Sequence, residues 1–403
     1  MTMKNHYQIL IIGGGNAGIS VAAQLLIKNS TLEIGIIDPS ENHYYQPAWT
    51  LVGGGVFDIK KTIRKEADCI PERAHWIQDE VLSFSPEQNT LKCKLSGGIS
   101  YDYLVVAPGI QLDWHKIIGL KENLGTRGIC SNYTFESAPY TWETLRSLGS
   151  GKAIFTNPNT PIKCGGAPQK IMYLAADYIK KQGLLQKSEV HFYSGGGVIF
   201  GVKKYAEVLN QVIVRYGIQT HFNYNLIEID PVSKTAVFET KGDDNQLLRT
   251  EQQFDMIHVT PPQSAPDFIK NSPLAIKDNP LGWVDLNRDT MQHNRFLNIF
   301  GCGDAGITPN SKTGAAIRKQ APVLVDNLLE YMKGKPLSNS YNGYSSCPLV
   351  TGYGKLVLAE FDYNNEPMET FPFNQAKERY SMWLLKTKVL PWLYWNKILK
   401  GTA

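Results

Sequence analysis

The chain has 403 residues, 42% of them apolar and 19% charged, with a formal net charge of +4. That length gives room for two or three domains with sizeable cores, and so small a charge excess argues against a nucleic-acid partner. The six cysteines have neither CxxC nor metal-ligand spacing and are too few to staple a secreted scaffold, so no metal site is expected. No run of eighteen apolar residues occurs, so no segment is expected to span a bilayer. The first strand begins at about Gln8 with no signal or transit segment read ahead of it, and an intracellular chain is the expectation.

The apolar run ending at Ile12 enters Gly13-x-Gly15-x-x-Gly18, and an Ala/Leu-rich helix follows over 21–27. Strand, glycine turn and helix are the start of a dinucleotide-binding βαβ unit. Gly13 makes the turn, Gly15 lets backbone N–H groups approach a pyrophosphate, and Gly18 lets the helix pack on the strand. Asn16 and Ala17 open that helix, where N–H groups without partners and the positive dipole end favour phosphate. The next predicted strand, 32–37, ends at Asp38, placed to accept from a ribose hydroxyl. A fingerprint this close to the start of the chain suits a flavoprotein, so FAD is the expected cofactor.

An aromatic loop follows, His43-Tyr44-Tyr45-Gln46-Pro47-Ala48-Trp49, where an isoalloxazine would lie. Strands are predicted over 75–84, with Val81 beside the adenine, and over 90–95. The buried strand after them ends in Ala107-Pro108-Gly109, a small-residue turn near the cofactor. A second αβ unit runs from a strand at 152–156 through a helix at 168–181 to a strand at 189–193. The turn after it, Gly195-Gly196-Gly197-Val198-Ile199-Phe200-Gly201, is a damaged fingerprint. Phe200 holds the third glycine position and the strand at 219–224 ends without an acid. Phenylalanine there is expected to push the helix off the strand or fill the phosphate pocket, so no NAD(P)H site is expected. Farther on, Gly303-Asp304 ends a strand and precedes a helix, the place of a second FAD contact. Lys312 is a candidate for the flavin edge, where a cation stabilises the reduced ring.

Two cysteines stand out. Cys164 lies three residues before the predicted helix, between Lys163 and Lys170, and both a helix N-terminus and neighbouring cations favour thiolate. Cys347, beside Ser346 and Pro348, reads as an exposed loop cysteine. Cys302 reads as packing.

With Asp38, His43 to Pro47, Thr160 to Lys170, Phe200 to Ala206, His258 to Pro262, Ser311-Lys312-Thr313, Ser346 to Tyr353, Ala359 to Tyr363 and Phe371-Pro372-Phe373 in view, the chain resembles the sulfide:quinone oxidoreductases, in the branch that includes the mitochondrial enzyme. The resemblance covers nearly the whole chain. It implies an α/β fold of two Rossmann-like dinucleotide-binding domains with a C-terminal membrane-associating helical segment. It also implies FAD-dependent oxidation of hydrogen sulfide to sulfane sulfur. In the family the cysteines matching Cys164 and Cys347 are paired beside the flavin. Sulfide attacks on the Cys347 side and leaves a persulfide there, and the Cys164 thiolate passes electrons to the ring. The sulfur leaves to an acceptor such as sulfide, sulfite, glutathione or coenzyme A, and the flavin reduces a quinone, ubiquinone or menaquinone. Lys170 and Glu122 match supporting positions, and Gln46 matches a cofactor contact. Cys130 lies near, but does not clearly match, a third cysteine of bacterial relatives.

The stretch 380–400 carries three tryptophans, two tyrosines and four lysines, which suits helices lying in a headgroup layer, with Pro391 expected to divide them. The expected layout is an FAD-binding domain at 1–120 and 286–345, a second Rossmann-like domain at 121–285, and a C-terminal segment at 346–403. A homo-oligomer is left open. The expected setting is the cytoplasmic face of a bacterial inner membrane. An NADH:quinone oxidoreductase of the same fold is the alternative enzyme, and a sulfide or persulfide sensor without turnover is the non-enzyme alternative.

Overall fold

A computed structural model describes residues 4–242, 244–309 and 311–403. The first sheet places His75–Ile77, Ile34–Ile37, His6–Ile12 and Gly98–Val106 side by side and parallel. The ends of the two central strands nearest the glycine turn, Ile9–Ile12 and Leu104–Val106, are buried apolar runs, as strands covered on both faces must be. Gly98–Val106 shares its other edge, pairing with Thr90–Cys93 over its first half and with Ile299–Gly301 over its second. Residues far apart in sequence thus end at one rim, where the glycine turn after Ile12, Ala107 and Gly303 meet. The predicted single strand at 75–84 is broken into His75–Ile77 and Val81–Ser85. Asp79 is the cause: its carboxylate accepts N–H groups of Glu80, Leu95 and Ser96 at 2.6–3.1 Å and offers the backbone a turn in place of the ladder.

The second sheet is parallel throughout, in the order Ile129–Cys130, Met256–His258, Gly151–Asn157, Ser188–Ser194, Gln219–Phe222. Helix Ala167–Lys181 packs across it with eleven buried residues, Lys170 among them. A hairpin, Ser345–Gly352 with Lys355–Phe361, lies on that helix, and its Cys347, Leu349, Val357 and Ala359 join the core of the second domain.

The C-terminal stretch is one helical run that Pro391 does not divide. Alpha-helical Tyr380–Leu384 and Leu390–Leu393 alternate with π-helical Leu385–Val389 and Tyr394–Ile398. Pro391 follows directly on the π segment Leu385–Val389, whose wider turn takes up the register where the proline has no N–H to donate. Tyr394, Trp395 and Leu399 are buried in the first domain's core, and Met382 and Trp383 pack with Leu51 and Leu358. At about 1.5–3 kcal/mol per large side chain buried, the run is an integral part of the fold. Its outer side leaves Tyr380, Leu384, Val389 and Trp392 exposed.

Candidate active site

The glycine turn is shaped by contacts that only glycine permits. Gly13 sits at φ +99°, and a Cβ there would lie 2.4 Å from the Ala107 carbonyl oxygen. One on Gly18 would lie 1.9 Å from the Gly13 oxygen, while Gly15 and Gly109 face open space. Helix Asn16–Lys28 has no side-chain cap, so the N–H groups of its first turn point at the rim without partners. Asp38 Oδ2 accepts the Gly14 N–H at 2.6 Å beside that space. Val81 is buried in the strand pair flanking the rim, opposite Cys93. Gly303 is fixed by its N–H to Gln320 Oε1, 2.9 Å. The opened cradle, the uncapped helix and the acid are the donors and acceptors an adenine dinucleotide needs.

Cys164 and Cys347 come from different elements and meet. Their sulfurs are 3.6 Å apart, and Lys170 Nζ donates to Cys164 Sγ at 2.9 Å. Cys164 stands at φ +57°, a left-handed conformation that a non-glycine residue adopts at some cost. It is pinned by its N–H to Lys312 O at 2.6 Å and by its O accepting from Ala167 at 2.7 Å. Cys347 is not the exposed loop residue its neighbours suggest: it is fully buried within Ser345–Gly352. Alternation along that strand turns it toward the helix. Gly166 makes the approach feasible, since a Cβ there would be 2.6 Å from Cys347 Sγ and 2.5 Å from Leu349.

The pair shares one proton. The Cys347 thiol donating to Cys164, then the Lys170 charge, holds Cys164 well below the ordinary thiol range against the opposing effect of burial. The same hydrogen bond and burial push Cys347 up. Burial alone would lower Lys170, but the adjoining sulfurs outweigh it and raise it.

Three further lysines lie nearby, Lys312 and Lys386 buried and Lys163 half-buried. Lys312 is a buried side chain, not a solvated loop lysine. Its Nζ donates to the Asp304 and Gly306 carbonyls at 2.7 and 3.0 Å and lies 3.9 Å over the Trp283 ring. Lys163 Nζ donates to Gln46 Oε1 at 2.5 Å, near Trp49 and Tyr133. Lys386, from the C-terminal run, donates to Pro47 O at 2.9 Å. Burial brings all three ammonium groups down to about 8 and raises Asp304, with Lys312 and Lys163 opposing. Lys386 also feels Lys170 and both cysteines. Sequence reasoning missed it, because a lysine among apolar and aromatic residues has the pattern of a headgroup contact. Gly166 was missed as well, and its place next to Cys164 was the one available signal.

Not every expected residue is gathered. Glu122 is exposed in the turn around Gly119–Gly125, and among the described residues no hydrogen bond or ion pair ties it to the cysteines. Cys130 is buried with its thiol on the Ile257 carbonyl at 3.4 Å, and burial pushes it up to about 12. Cys302 is likewise buried and raised to about 12. Phe200 does not do what its position predicts. It packs onto Phe361 and Tyr205 of the second domain's core, with ring centroids 5.6 and 6.4 Å away, and the helix starts only at Lys203. Asn159 packs against Gly195, its backbone nitrogen 2.5 Å from a Cβ built there, while Gly196 and Gly197 have no neighbour that close.

These features define a class: a flavoprotein of the two-dinucleotide-domain disulfide oxidoreductase fold. The family model described as pyridine nucleotide-disulphide oxidoreductase matches residues 7–147. The mouse mitochondrial sulfide:quinone oxidoreductase is 44% identical over 99% of this chain and 88% of its own. The Dictyostelium discoideum mitochondrial enzyme of that name is 47% identical over 99% and 87%. The solved sulfide:quinone oxidoreductase of Aquifex aeolicus superposes with a TM-score of 0.82 at 20% identity, over 99% and 92% of the two chains. The chain belongs to the sulfide:quinone oxidoreductase family, whose members are FAD-dependent. The expected setting on the cytoplasmic face of a bacterial inner membrane is overturned: these curated relatives are mitochondrial enzymes of eukaryotes. Among the described residues no helix is long and apolar enough to cross a membrane.

Proposed function

We propose that the chain oxidises sulfide at the Cys164–Cys347 pair and passes the two electrons through FAD to quinone. The observation that carries the site assignment is the 3.6 Å approach of the two sulfurs with Lys170 Nζ 2.9 Å from Cys164. With the pair oxidised, HS⁻ attacks Cys347, the bond between the cysteines breaks, and the products are a Cys347 persulfide and a Cys164 thiolate. Lys170 holds the charge of that leaving thiolate, and a low leaving-group pKa speeds the exchange. Held at the glycine cradle, FAD would supply the two-electron acceptor chemistry that links the cysteine pair to quinone. A second nucleophile, such as sulfide, sulfite, glutathione or coenzyme A, removes the sulfane sulfur. Glycine cradle, Asp38, Gln46, Val81, Ala107, Gly303, Asp304 and Lys312 are read as the cofactor contacts. The FAD-binding part is read as 1–120 with 286–345, and the second domain as 121–285. An anaerobic titration tests this: sulfide bleaches the flavin band in wild type, and sulfide inert at millimolar concentration would overturn the reading.

An NADH:quinone oxidoreductase is the weaker fit. The second domain's fingerprint has Phe200 in the third glycine position and its helix starts only at Lys203, which takes the helix N-terminus away from the glycine turn where such an enzyme seats its phosphates. NADH up to about a hundred times an ordinary micromolar KM is expected to leave the flavin band unchanged. Stoichiometric bleaching would return NADH to the candidates.

The run 380–398 supports docking on a lipid surface, since its buried side is fixed in the core while Tyr380, Leu384, Val389 and Trp392 face out beside exposed Lys388 and Lys397. Apolar and aromatic side chains ringed by lysine suit the interface. The double variant Leu384→Ser, Trp392→Ser keeps the buried side and is expected to stop flotating with anionic liposomes. Full flotation would contradict the docking face.

A further inference from the structure

A small sheet of the second domain leaves a long edge open. Asn225–Asp230, Thr235–Lys241 and Leu247–Gln253 lie antiparallel in that order. A bulge between Leu226 and Glu228 kinks the first strand, which also leans on Ile118. The last strand pairs with Thr235–Lys241 from end to end without a register shift, and among the described residues no strand pairs with its other side. Border strands of the two larger sheets, such as His75–Ile77, Ile129–Cys130 and Gln219–Phe222, are shorter. Proteins ordinarily blunt an edge of this length with proline, a bulge or an inward-pointing charge. Leu247–Gln253 has none of these. Thr250 and Gln252 stand opposite the buried Phe238 and Ala236, and its two charges, Arg249 and Glu251, are exposed on the other face.

The parity of the ladder decides which groups face out. Phe254 N–H donates to Lys234 O at 3.0 Å and Gly242 N–H to Gln246 O at 2.9 Å. Bonded pairs alternate along an antiparallel ladder, so Leu248, Thr250 and Gln252 bond inward. Leu247, Arg249, Glu251 and Gln253 turn their N–H and C=O groups to the open side. Charge then selects what fits there. Set against an antiparallel copy of itself about a two-fold axis at Thr250, the strand places Arg249 opposite Glu251 of the second copy, and the axis repeats the pair. Leu247 then faces Gln253, so every outward pair joins residues whose backbone groups point at each other. The neighbouring registers that keep this parity centre on Arg249 or on Glu251 and set like charges face to face, which is unfavourable. Arg249 also lies 3.7 Å from Glu239, its opposite number in its own sheet, so in the favoured register its guanidinium stands between two carboxylates.

We propose that Leu247–Gln253 is a self-pairing edge, through which two copies of this chain join their small sheets into one continuous antiparallel sheet with its two-fold axis at Thr250. An isologous contact of this kind closes on itself and leaves no further copy of the same edge open, so the product is a dimer and not a fibre. The contact is small, and a reversible dimer with a dissociation constant on the order of 10 μM is expected. None of its residues belongs to the cysteine site or the glycine cradle.

The test is sedimentation of the full-length, FAD-loaded enzyme in detergent over a concentration series at low salt, with the charges exchanged one at a time. Arg249→Glu and Glu251→Arg each set like charges across both pairs, and each is expected to raise the dimer Kd tenfold or more. An equimolar mixture of the two variants is expected to dimerise as wild type does, because each copy then meets the opposite charge at both pairs. Glu251→Pro removes an outward N–H and none that the ladder uses, and it is expected to abolish the dimer with flavin content and melting temperature kept. Arg249→Glu also faces Glu239; if that variant does not fold, Glu251→Arg and Glu251→Pro decide by themselves. Wild type that stays monomeric at ten times the expected constant would overturn the proposal. A dimer that persists unchanged in folded Glu251→Arg and Glu251→Pro, or a mixture no tighter than its components, would place the contact elsewhere and overturn it equally.

Discussion

Replacing either cysteine of the pair with serine is expected to abolish sulfide-driven flavin bleaching, a loss on the order of 10³-fold or more in the rate of that half-reaction. The two losses have different causes. Cys347→Ser removes the sulfur that sulfide attacks, and an oxygen in a buried strand offers neither a disulfide nor a persulfide. Cys164→Ser leaves Cys347 with no bonded partner to expel, and a serine hydroxyl, with no thiolate form near neutral pH, cannot take the electrons away. Neither change should disturb the fold much, because oxygen is smaller than sulfur and both positions are held by backbone: Cys164 through Lys312 O and Ala167 N, Cys347 through its ladder with Ala359. Stopped-flow mixing with sulfide measures the loss, and full bleaching of both variants by dithionite serves as the control for a competent flavin. A Cys130→Ser variant, by contrast, is expected to react as wild type, since that thiol is buried on a carbonyl. Sulfide bleaching at wild-type speed in either active-pair variant would remove the cysteines from the reaction.

How much of this was legible in the sequence depended on whether the determinant was local. The glycine turn was, because Gly13, Gly15 and Gly18 are demanded by contacts within one βαβ unit and with the neighbouring strand. The damaged second fingerprint was visible too, although its consequence was not: Phe200 packs onto Phe361, and Asn159 packs against Gly195. Those partners lie elsewhere in the chain, out of reach of periodicity. Cys164 carried its own signals, a coming helix and two lysines. Cys347 misled, since serine and proline beside a cysteine look like a loop until a partner strand, Lys355–Phe361, and a helix cover it. Lys386 was illegible for the same reason as Tyr394. Both belong to a run whose aromatic composition describes its outer face, while the inner face is decided by a surface that the rest of the chain builds. Composition could not tell a lysine that meets headgroups from one that bonds Pro47 in the buried site.

Lys170→Met is expected to make the sulfide half-reaction strongly pH-dependent. In the wild type four influences act on Cys164: the hydrogen bond from Cys347, burial, the Lys170 ammonium at 2.9 Å and, through the field, Lys386. Burial opposes the thiolate, and the cation offsets it. A unit charge at that distance contributes on the order of 5 kcal/mol at an effective dielectric of 20, and an adjacent opposite charge in proteins commonly shifts a group by about 1–3 pH units. Without the ammonium, burial has less opposition and the Cys164 pKa rises. The sign follows: the charged leaving group is disfavoured at pH 7 and recovers as pH rises through the new, higher value. The expectation is a loss of about tenfold to a thousandfold at pH 7 that narrows to within a few-fold near pH 10, with iodoacetamide alkylation of the reduced pair shifting to higher pH in step. Lys170→Arg, which restores a permanent cation, should return most of the rate. Lys386→Met should move the profile the same way by less, because its Nζ is committed to Pro47 O and reaches the sulfurs only through the field. Were Lys170 a packing residue alone, its loss would slow the reaction equally at pH 7 and pH 10, and the alkylation profile would stay where the wild type has it.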